Sequence, residues 1–276
     1  MDGSQKIAPS ERVRAGILGL GEAGSAFAAG LATGAKEVRG FDPADVDAIP
    51  GAVMCPTPAD AVADADVVLA FTHAAQAVDA ARSAVGHMRP GAFYADLATG
   101  NAGLKRTLAD LARGQGLRFV DGAIMNPVPL QGVATPVELA GDDPDELAAL
   151  LTAAGMRVTV VGTEPGVAAT RKLLRSIVVK GLSALIIESL RAADKAGQAD
   201  WFRGHLQEVL TGIDDTFVAR LVTGTLTHRV RRVHEMEAVV SLLRELGEPP
   251  LTADATRQVI DSVAHRGIPS VSPPKT

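Results

Sequence analysis

Apolar residues in the first 160 positions come in short, nearly continuous runs separated by longer helix-forming stretches. Val13–Leu18, Glu37–Phe41, Val67–Phe71, Ala92–Asp96 and Arg118–Asp121 read as strands, and Val137–Ala140 and Arg157–Val161 extend the series. Runs of this kind suit strands buried on both faces of a parallel sheet better than a half-exposed one. With helical patterns between them, they predict a doubly wound sheet. One intervening helix starts in Asp142-Asp143-Pro144-Asp145-Glu146, with an aspartate in capping position, proline in the first turn and acids near the positive dipole end. This acidic run reads as a solvated helix start. After Gly162 the strand signal ends. Glu164–Ala196 is one long apolar-rich helix pattern, followed by helical segments at Trp201–Leu210, Ile213–Thr223, Thr227–Leu246 and Thr252–His265, the last two punctuated by Pro249-Pro250.

The first strand runs directly into Gly19-Leu20-Gly21-Glu22-Ala23-Gly24 and then into the small, helix-forming stretch Ala23–Ala32. In this setting each glycine of a G-x-G-x-x-G sequence has a separate physical use. The first permits the tight turn, the second lets the backbone approach a pyrophosphate, and the third lets the helix lie close on its strand. Asp42 ends the next strand-like run 18 residues after Gly24, near the spacing at which an acid meets the adenosine ribose. Thr72 and His73 follow the strand Val67–Phe71, at a strand end where a cofactor would lie. The expectation is an α/β Rossmann domain with a doubly wound parallel sheet over residues 1–163. A long interdomain helix joins it to an all-α C-terminal domain over 164–268, and a proline-rich disordered tail covers 269–276. Asp42 favours NAD, because its carboxylate accepts from a ribose hydroxyl and repels a 2′-phosphate; NADP stays possible if the loop Pro43–Ile49 redirects the acid.

Composition narrows the function classes. The 276 residues carry a formal charge of −5, which disfavours nucleic acid and anionic membrane as partners. Only 3% of them are aromatic, too few for a base-stacking platform. Cys55 is the single cysteine, so neither an intrachain disulfide nor a thiolate metal cluster can form. No apolar run approaches the roughly 20 residues of a membrane span, and Met1–Arg12 lacks the apolar core of a secretory signal. A soluble cytoplasmic protein is expected.

The second site signal is Gly166-Val167-Ala168-Ala169-Thr170-Arg171-Lys172-Leu173-Leu174-Arg175-Ser176. With the glycine fingerprint, Asp96-Leu97-Ala98-Thr99 after a strand and Asp121 opening a substrate loop, it resembles the β-hydroxyacid dehydrogenase superfamily, which includes 3-hydroxyisobutyrate and 6-phosphogluconate dehydrogenases. Those enzymes carry a glycine six residues before a catalytic lysine, and the resemblance assigns that role to Lys172. The helical end, including Arg231 to Glu237, is similar to the phosphogluconate-dehydrogenase-like subgroup with a compact C-terminal domain. The chemistry is independently sensible: oxidising an alcohol releases a hydroxyl proton as hydride leaves, and a lysine of lowered pKa can take it. At about 100° per residue, Lys172, Ser176, Val179 and Ser183 fall within roughly 40° of one helix face, with Arg175 about 60° to one side. The bland alternative is a lysine snorkelling from an amphipathic helix.

The chain departs from the family where a substrate would be read. Arg175 and Ser176 stand where many members have two asparagines, and Asn126-Pro127-Val128 replaces a Ser-Gly-Gly. Arg175 still offers a bidentate fork to a carboxylate, and Asn126 still offers hydrogen bonds. Ala98 stands where serine is common; Thr99 and Asn101 can compensate as substrate contacts, or they can be ordinary helix-start caps. His228, Arg229, Arg231, Arg232 and His234 read as a solvated basic helix face, or as an anion site reaching the cleft from a partner subunit. The expected activity is hydride transfer between nicotinamide and a small carboxylate-bearing hydroxy or keto acid, in a homodimer formed through the helical domain. Imine reduction on the same fold, a decarboxylating oxidation and a non-catalytic dinucleotide sensor are the alternatives; imine-reducing relatives commonly replace the lysine.

Overall fold

The computed structural model describes residues 13–214 and 216–268. The expected tail over 269–276 and the polar stretch Met1–Arg12 lie outside the described residues. Two compact units divide the chain, the first ending at Arg175 and the second beginning at Ser176.

The first unit holds strands β1 (Arg14–Leu18), β2 (Glu37–Phe41), β3 (Val53–Met54), β4 (Val67–Ala70), β5 (Phe93–Asp96), β6 (Arg118–Ile124), β7 (Val137–Gly141) and β8 (Val158–Gly162). They form one eight-stranded sheet in the order β3-β2-β1-β4-β5-β6-β7-β8. All neighbours are parallel except β6 and β7. Helices α1 (Glu22–Leu31), α2 (Pro58–Val62), α3 (Ala77–Ala84), α4 (Ala102–Arg113) and α5 (Pro144–Ala153) connect them. Alternation along the strands splits the core between the two sheet faces. Ile17, Leu69, Phe93 and Val120 pack with Phe27, Leu31, Leu147 and Leu151 on one side. Leu18, Val68, Tyr94 and Phe119 pack with Val62, Leu108 and Ala112 on the other. The strand order reverses direction between β1 and β4, which opens a crevice at the carboxyl ends of these strands.

Strand β6 runs three residues past the expected Asp121, because Gly122, Ala123 and Ile124 continue the ladder against Leu139, Glu138 and Val137 of β7. Strand β3 was not expected; a two-residue, largely exposed edge strand leaves no periodic signal. Asp143 occupies the expected capping position of α5, but in a left-handed conformation (φ 43°) and without a side-chain capping bond. Its neighbour Asp142 is held by Arg113 and the Phe119 N–H. Burial opposes ionisation of Asp142, but these donors hold its carboxyl below the usual range.

Helix α6 (Val167–Lys195) begins in the first unit and ends in the second, which adds α7 (Ala199–Thr211), α8 (Phe217–Glu245) and α9 (Leu251–Arg266). The two helices expected at Ile213–Thr223 and Thr227–Leu246 are one helix, α8, kinked at His228 (φ −117°, ψ 26°). Side chains occupy the carbonyls just before the kink: Thr225 Oγ1 donates to Leu221 O and Thr227 Oγ1 to Thr223 O. Arg232 Nη1 donates to Thr225 Oγ1 at 2.5 Å. Such side-chain bonds loosen the helical ladder and bend the axis. The second unit buries few apolar side chains of its own, chiefly Ala193, Val240, Leu243 and Ala253. Ile177, Val178, Trp201 and Val259 are instead each about two-thirds exposed (70%, 69%, 64% and 66%). No described helix is long and apolar enough to cross a membrane.

Glu188 of α6 closes the start of α9. Its carboxylate accepts from the Thr252 and Ala253 N–H groups, both at 2.8 Å, and from the Thr252 hydroxyl. Burial works against the charge, but these donors outweigh it and hold the Glu188 carboxyl below the usual range. A depressed carboxylate stabilises the fold above its unfolded pKa, and that contribution is lost as pH falls through the folded value. Glu188→Ala is therefore expected to cost about 1 kcal/mol near neutrality, with the gap to wild type closing in acid. Denaturant midpoints of both proteins across pH check this; a gap that does not change with pH contradicts it.

Candidate functional site

The turn between β1 and α1 is shaped by its three glycines. Gly19 adopts φ +88°, and a Cβ there would press on the Phe71 carbonyl at 3.0 Å. At Gly24 a Cβ would stand 1.9 Å from Gly19 O, so only glycine lets α1 rest on the end of its strand. A Cβ at Gly21, in contrast, would meet nothing within 4 Å, so the backbone there faces open space. Gly21 is also the N-cap of α1 and places no side chain on the first-turn N–H groups. An N-terminus with donors aimed outward beside a residue without a side chain suits an anionic group such as a pyrophosphate.

This turn forms one wall of a cavity of about 650 Å³. Gly19, Gly21, Glu22, Ala23, Gly24, Asp42, Thr72 and His73 all line it, as expected for a dinucleotide site; Leu20 does not. The Leu20 side chain is buried, and its N–H donates to Asp42 Oδ2 at 2.6 Å. Asp42 Oδ1 accepts from the Ala44 N–H at 2.8 Å, so the acid is fixed at the cavity edge by backbone on both sides. Each carboxylate oxygen keeps acceptor capacity for a hydroxyl. The charged lining residues are Glu22, Asp42 and Asp79; no lysine or arginine is part of the lining, although Arg82 pairs with Asp79 at 3.5 Å. That surface fits a ribose diol and opposes a 2′-phosphate. The lining suits a dinucleotide chemically: open backbone fit for phosphates and a fixed carboxylate fit for a hydroxyl.

The expected substrate residues lie outside this cavity, at the carboxyl ends of β5 and β6 and on α6. Asn101 is the N-cap of α4, its Oδ1 accepting from the Leu104 N–H at 2.9 Å, so the capping alternative holds for it; Thr99 is exposed next to it. Asn126 and Arg175, 49 positions apart, come together, Arg175 Nη2 donating to Asn126 Oδ1 at a long 3.4 Å. Lys172 and Ser176 are both half-buried on one face of α6, whereas Arg175 is exposed. Arg171 is taken up by Glu138 through two bonds of 2.7 and 2.9 Å.

Asp121 does not open a loop. It is buried within β6, its Oδ2 accepting from the N–H groups of Gly166 and Ala169, at 3.0 and 2.9 Å, at the start of α6. Sequence reasoning missed its partner. Lys105 of α4 is fully buried, donating to Asp96 Oδ2 at 2.7 Å, Asp96 O at 2.8 Å and Ala98 O at 2.9 Å, with Asp121 Oδ1 3.1 Å away. A signal was available: α4 buries Lys105, Leu108, Ala109 and Ala112, so the lysine occupies the first position of an apolar i, i+3, i+4, i+7 stripe.

Comparisons with known proteins agree with this geometry. Residues 14–126 match the model of the NAD binding domain of 6-phosphogluconate dehydrogenase, and residues 193–263 match a domain of unknown function. An uncharacterised 28.5 kDa protein from Methanothermus fervidus is 26% identical over 109 residues, 40% of this chain. The match spans less than half of that relative's length, 43%. A solved protein of unknown function, described as structurally similar to 3-hydroxyacid dehydrogenases, is 27% identical with a TM-score of 0.60, over 91% of this chain and 96% of its own. An imine reductase from Myxococcus stipitatus, solved with NADP+, has a TM-score of 0.77 at 19% identity, covering 92% of this chain and 95% of its own. That last likeness is one of fold.

The glycines make separable predictions. Gly24→Ala forces α1 off its strand and is expected to lower the melting temperature sharply. Gly21→Ala is expected to melt as wild type does, yet to bind dinucleotide at least tenfold more weakly, its methyl group standing where the phosphates approach. Thermal melts paired with nucleotide titrations distinguish the two; equal affinity in Gly21→Ala contradicts the placement.

Proposed function

We propose, on the premise that residues 14–126 belong to the family of NAD-binding domains of 6-phosphogluconate dehydrogenase, that the protein is an NAD-dependent dehydrogenase of small carboxylate-bearing hydroxy acids. The observation that carries this is the glycine turn: a tight Gly19, a tight Gly24 and an open Gly21 beside a cavity at the crevice of a doubly wound sheet. Asp42, and a lining without lysine or arginine, support NAD over NADP.

When bound, the nicotinamide supplies the hydride acceptor, or the donor in the reverse direction. Lys172 takes the hydroxyl proton as the carbinol carbon loses hydride, and returns it when a keto acid is reduced. Arg175 and Asn126, which meet beside that helix, bind the carboxylate, the guanidinium as charge partner and the amide as hydrogen-bond partner. Thr99, exposed just after β5, offers the substrate a further hydroxyl. Ser176 shares the half-buried face with Lys172 and orients the same substrate oxygen. The fold of the imine reductase favours one second activity, reduction of an imine formed from a ketone and an amine.

Cofactor oxidation and reduction followed by nicotinamide absorbance, across 2- and 3-hydroxy acids, keto acids and ketone–amine pairs, tests this. Turnover on one acid class, preferring NADH to NADPH and falling about 10²- to 10⁴-fold in Lys172→Ala, is the expected result. Undiminished turnover in the variant, or turnover only with ketone and amine together, overturns the assignment to Lys172 or to hydroxy acids respectively.

The exposed apolar faces of α6 to α9 support assembly of two copies through the helical unit. Sedimentation equilibrium is expected to give twice the chain mass of 28.4 kDa. A monomer across the micromolar range contradicts the dimer.

A further inference from the structure

Asp96 and Asp121 are direct register partners on the parallel strands β5 and β6, so their side chains leave the sheet on the same face, one strand spacing apart. Both side chains are fully buried, and between them stands one cation, Lys105. The three protons of Lys105 Nζ are spent on Asp96 Oδ2, Asp96 O and Ala98 O. Asp121 Oδ1, 3.1 Å from Nζ, has charge contact without a proton of its own. Two carboxylate oxygens are left buried with no hydrogen-bond partner among the described residues, Asp96 Oδ1 and Asp121 Oδ1. Two ionised carboxylates against one ammonium would also leave a buried negative charge uncompensated.

We propose that Asp96 and Asp121 share one proton between their Oδ1 atoms, and that this protonated pair, clamped by Lys105, anchors the first turn of the helix carrying Lys172. A single proton satisfies both orphaned oxygens and brings the cluster to neutrality, the arrangement two adjacent carboxyl groups adopt when both cannot ionise. Asp121 Oδ2 stays available to accept from Gly166 and Ala169, so the proton and the helix anchor use opposite edges of one carboxylate. The groups facing the pair are Lys105 from α4, the Ala98 N–H just after β5, the buried Tyr94 hydroxyl two residues away on β5, and the two α6 N–H groups. The outer register neighbours, Ala70 on β4 and Ala140 on β7, contribute no charge. Burial, and far behind it the Asp121 carboxylate, push the Asp96 carboxyl above its usual range despite Lys105 and the Ala98 N–H. A raised carboxyl stabilises the fold below its unfolded pKa, and that contribution is lost as pH rises through the folded value.

The functional meaning of the anchor rests on the role proposed for Lys172, but the proton and the anchor are read without turnover. Infrared difference spectra of the full-length protein at neutral pH are expected to show a protonated-carboxyl band. Asp96→Asn and Asp121→Asn should each abolish that band. Asp96→Asn places an amide N–H where the shared proton stood, so it should fold and lose the fall in stability that accompanies rising pH. Amide exchange at Gly166 and Ala169 should stay slow in Asp96→Asn and speed up about tenfold or more in Asp121→Asn and Lys105→Met. No acid band in wild type, or a band that survives both asparagine variants, overturns the shared proton. Unchanged exchange at Gly166 and Ala169 in Asp121→Asn overturns the anchor. Should Asp121→Asn or Lys105→Met fail to fold, the spectra of wild type and Asp96→Asn decide the shared proton, and Gly166 and Ala169 amides that exchange in wild type as fast as exposed amides overturn the anchor. A catalytically silent Lys172 with all of these signals intact would sink the dehydrogenase mechanism and leave the proton pair standing.

Discussion

The first unit is held at its functional edge by the contact of Lys105 with Asp96 and Asp121. Three elements meet there, β5, β6 and α4, and Asp121 brings in a fourth, the start of α6. Taking these groups out of water costs several kcal/mol per ion, and their attraction offsets that only if the hydrogen bonds are complete. Removing one member of such a cluster typically costs about 3–5 kcal/mol, against a net domain stability of about 5–15 kcal/mol. The positions of the β5 end, the β6 end and the α6 start are therefore coupled. None can shift without stranding a charge, and a helix expected to present a catalytic side chain gains from being rooted in such a contact.

Helix starts around the sheet differ in how their first-turn donors are met. Thr57 caps α2, Asn101 caps α4, and Asp121 serves α6 from a distance. Helix α1 has glycine at its cap and no side chain on its first-turn donors. The carboxylate that could have capped it, Asp42, instead binds the Leu20 and Ala44 N–H groups on either side of the cavity edge. Uncapped first-turn donors beside a residue with no side chain suit an anion supplied from outside. Asp121 meets that need within the fold at the α6 start, whereas Gly21 leaves it unmet at α1.

Much of this was legible in sequence, because it depends on local patterns. The strand–glycine–helix unit, the acid at the end of β2 and the switch to all-helix after Gly162 each leave a mark within a few tens of residues. What was not legible depends on partners distant in sequence. Asp121 was expected at a loop because nothing near it reveals the β7 ladder that extends its strand. Asp143 was expected to cap α5, but Asp142 is drawn away by Arg113 and Phe119 and the chain turns left-handed between. The kink at His228 was expected as a break, since threonine-rich sequence weakens helix signal whether the helix ends or merely bends. Lys105 is different in kind. Its position in the apolar stripe of α4 was visible, and a lysine there implies a buried counter-charge. Asp96 and Asp121, both at strand ends in the sequence pattern, were the candidates.

Two of the positions at which this chain departs from the family it resembles, Asn126 and Arg175, bear on each other. Asn126 follows β6, Arg175 lies on α6, and the one place they meet is a 3.4 Å contact between guanidinium and amide oxygen. A hydrogen bond that long is weak, so it does little for the fold, and neither group is consumed by it. An arginine in place of an asparagine brings a full charge, and a neighbouring amide that accepts from it turns the fork without neutralising it. A carboxylate in that place would have cancelled the charge, as Glu138 does for Arg171 about one turn earlier on the same helix. The Arg175 cation, held but not neutralised, is thus suited to an anionic group that arrives from solution, and a substrate bearing one carboxylate is the simplest match to it.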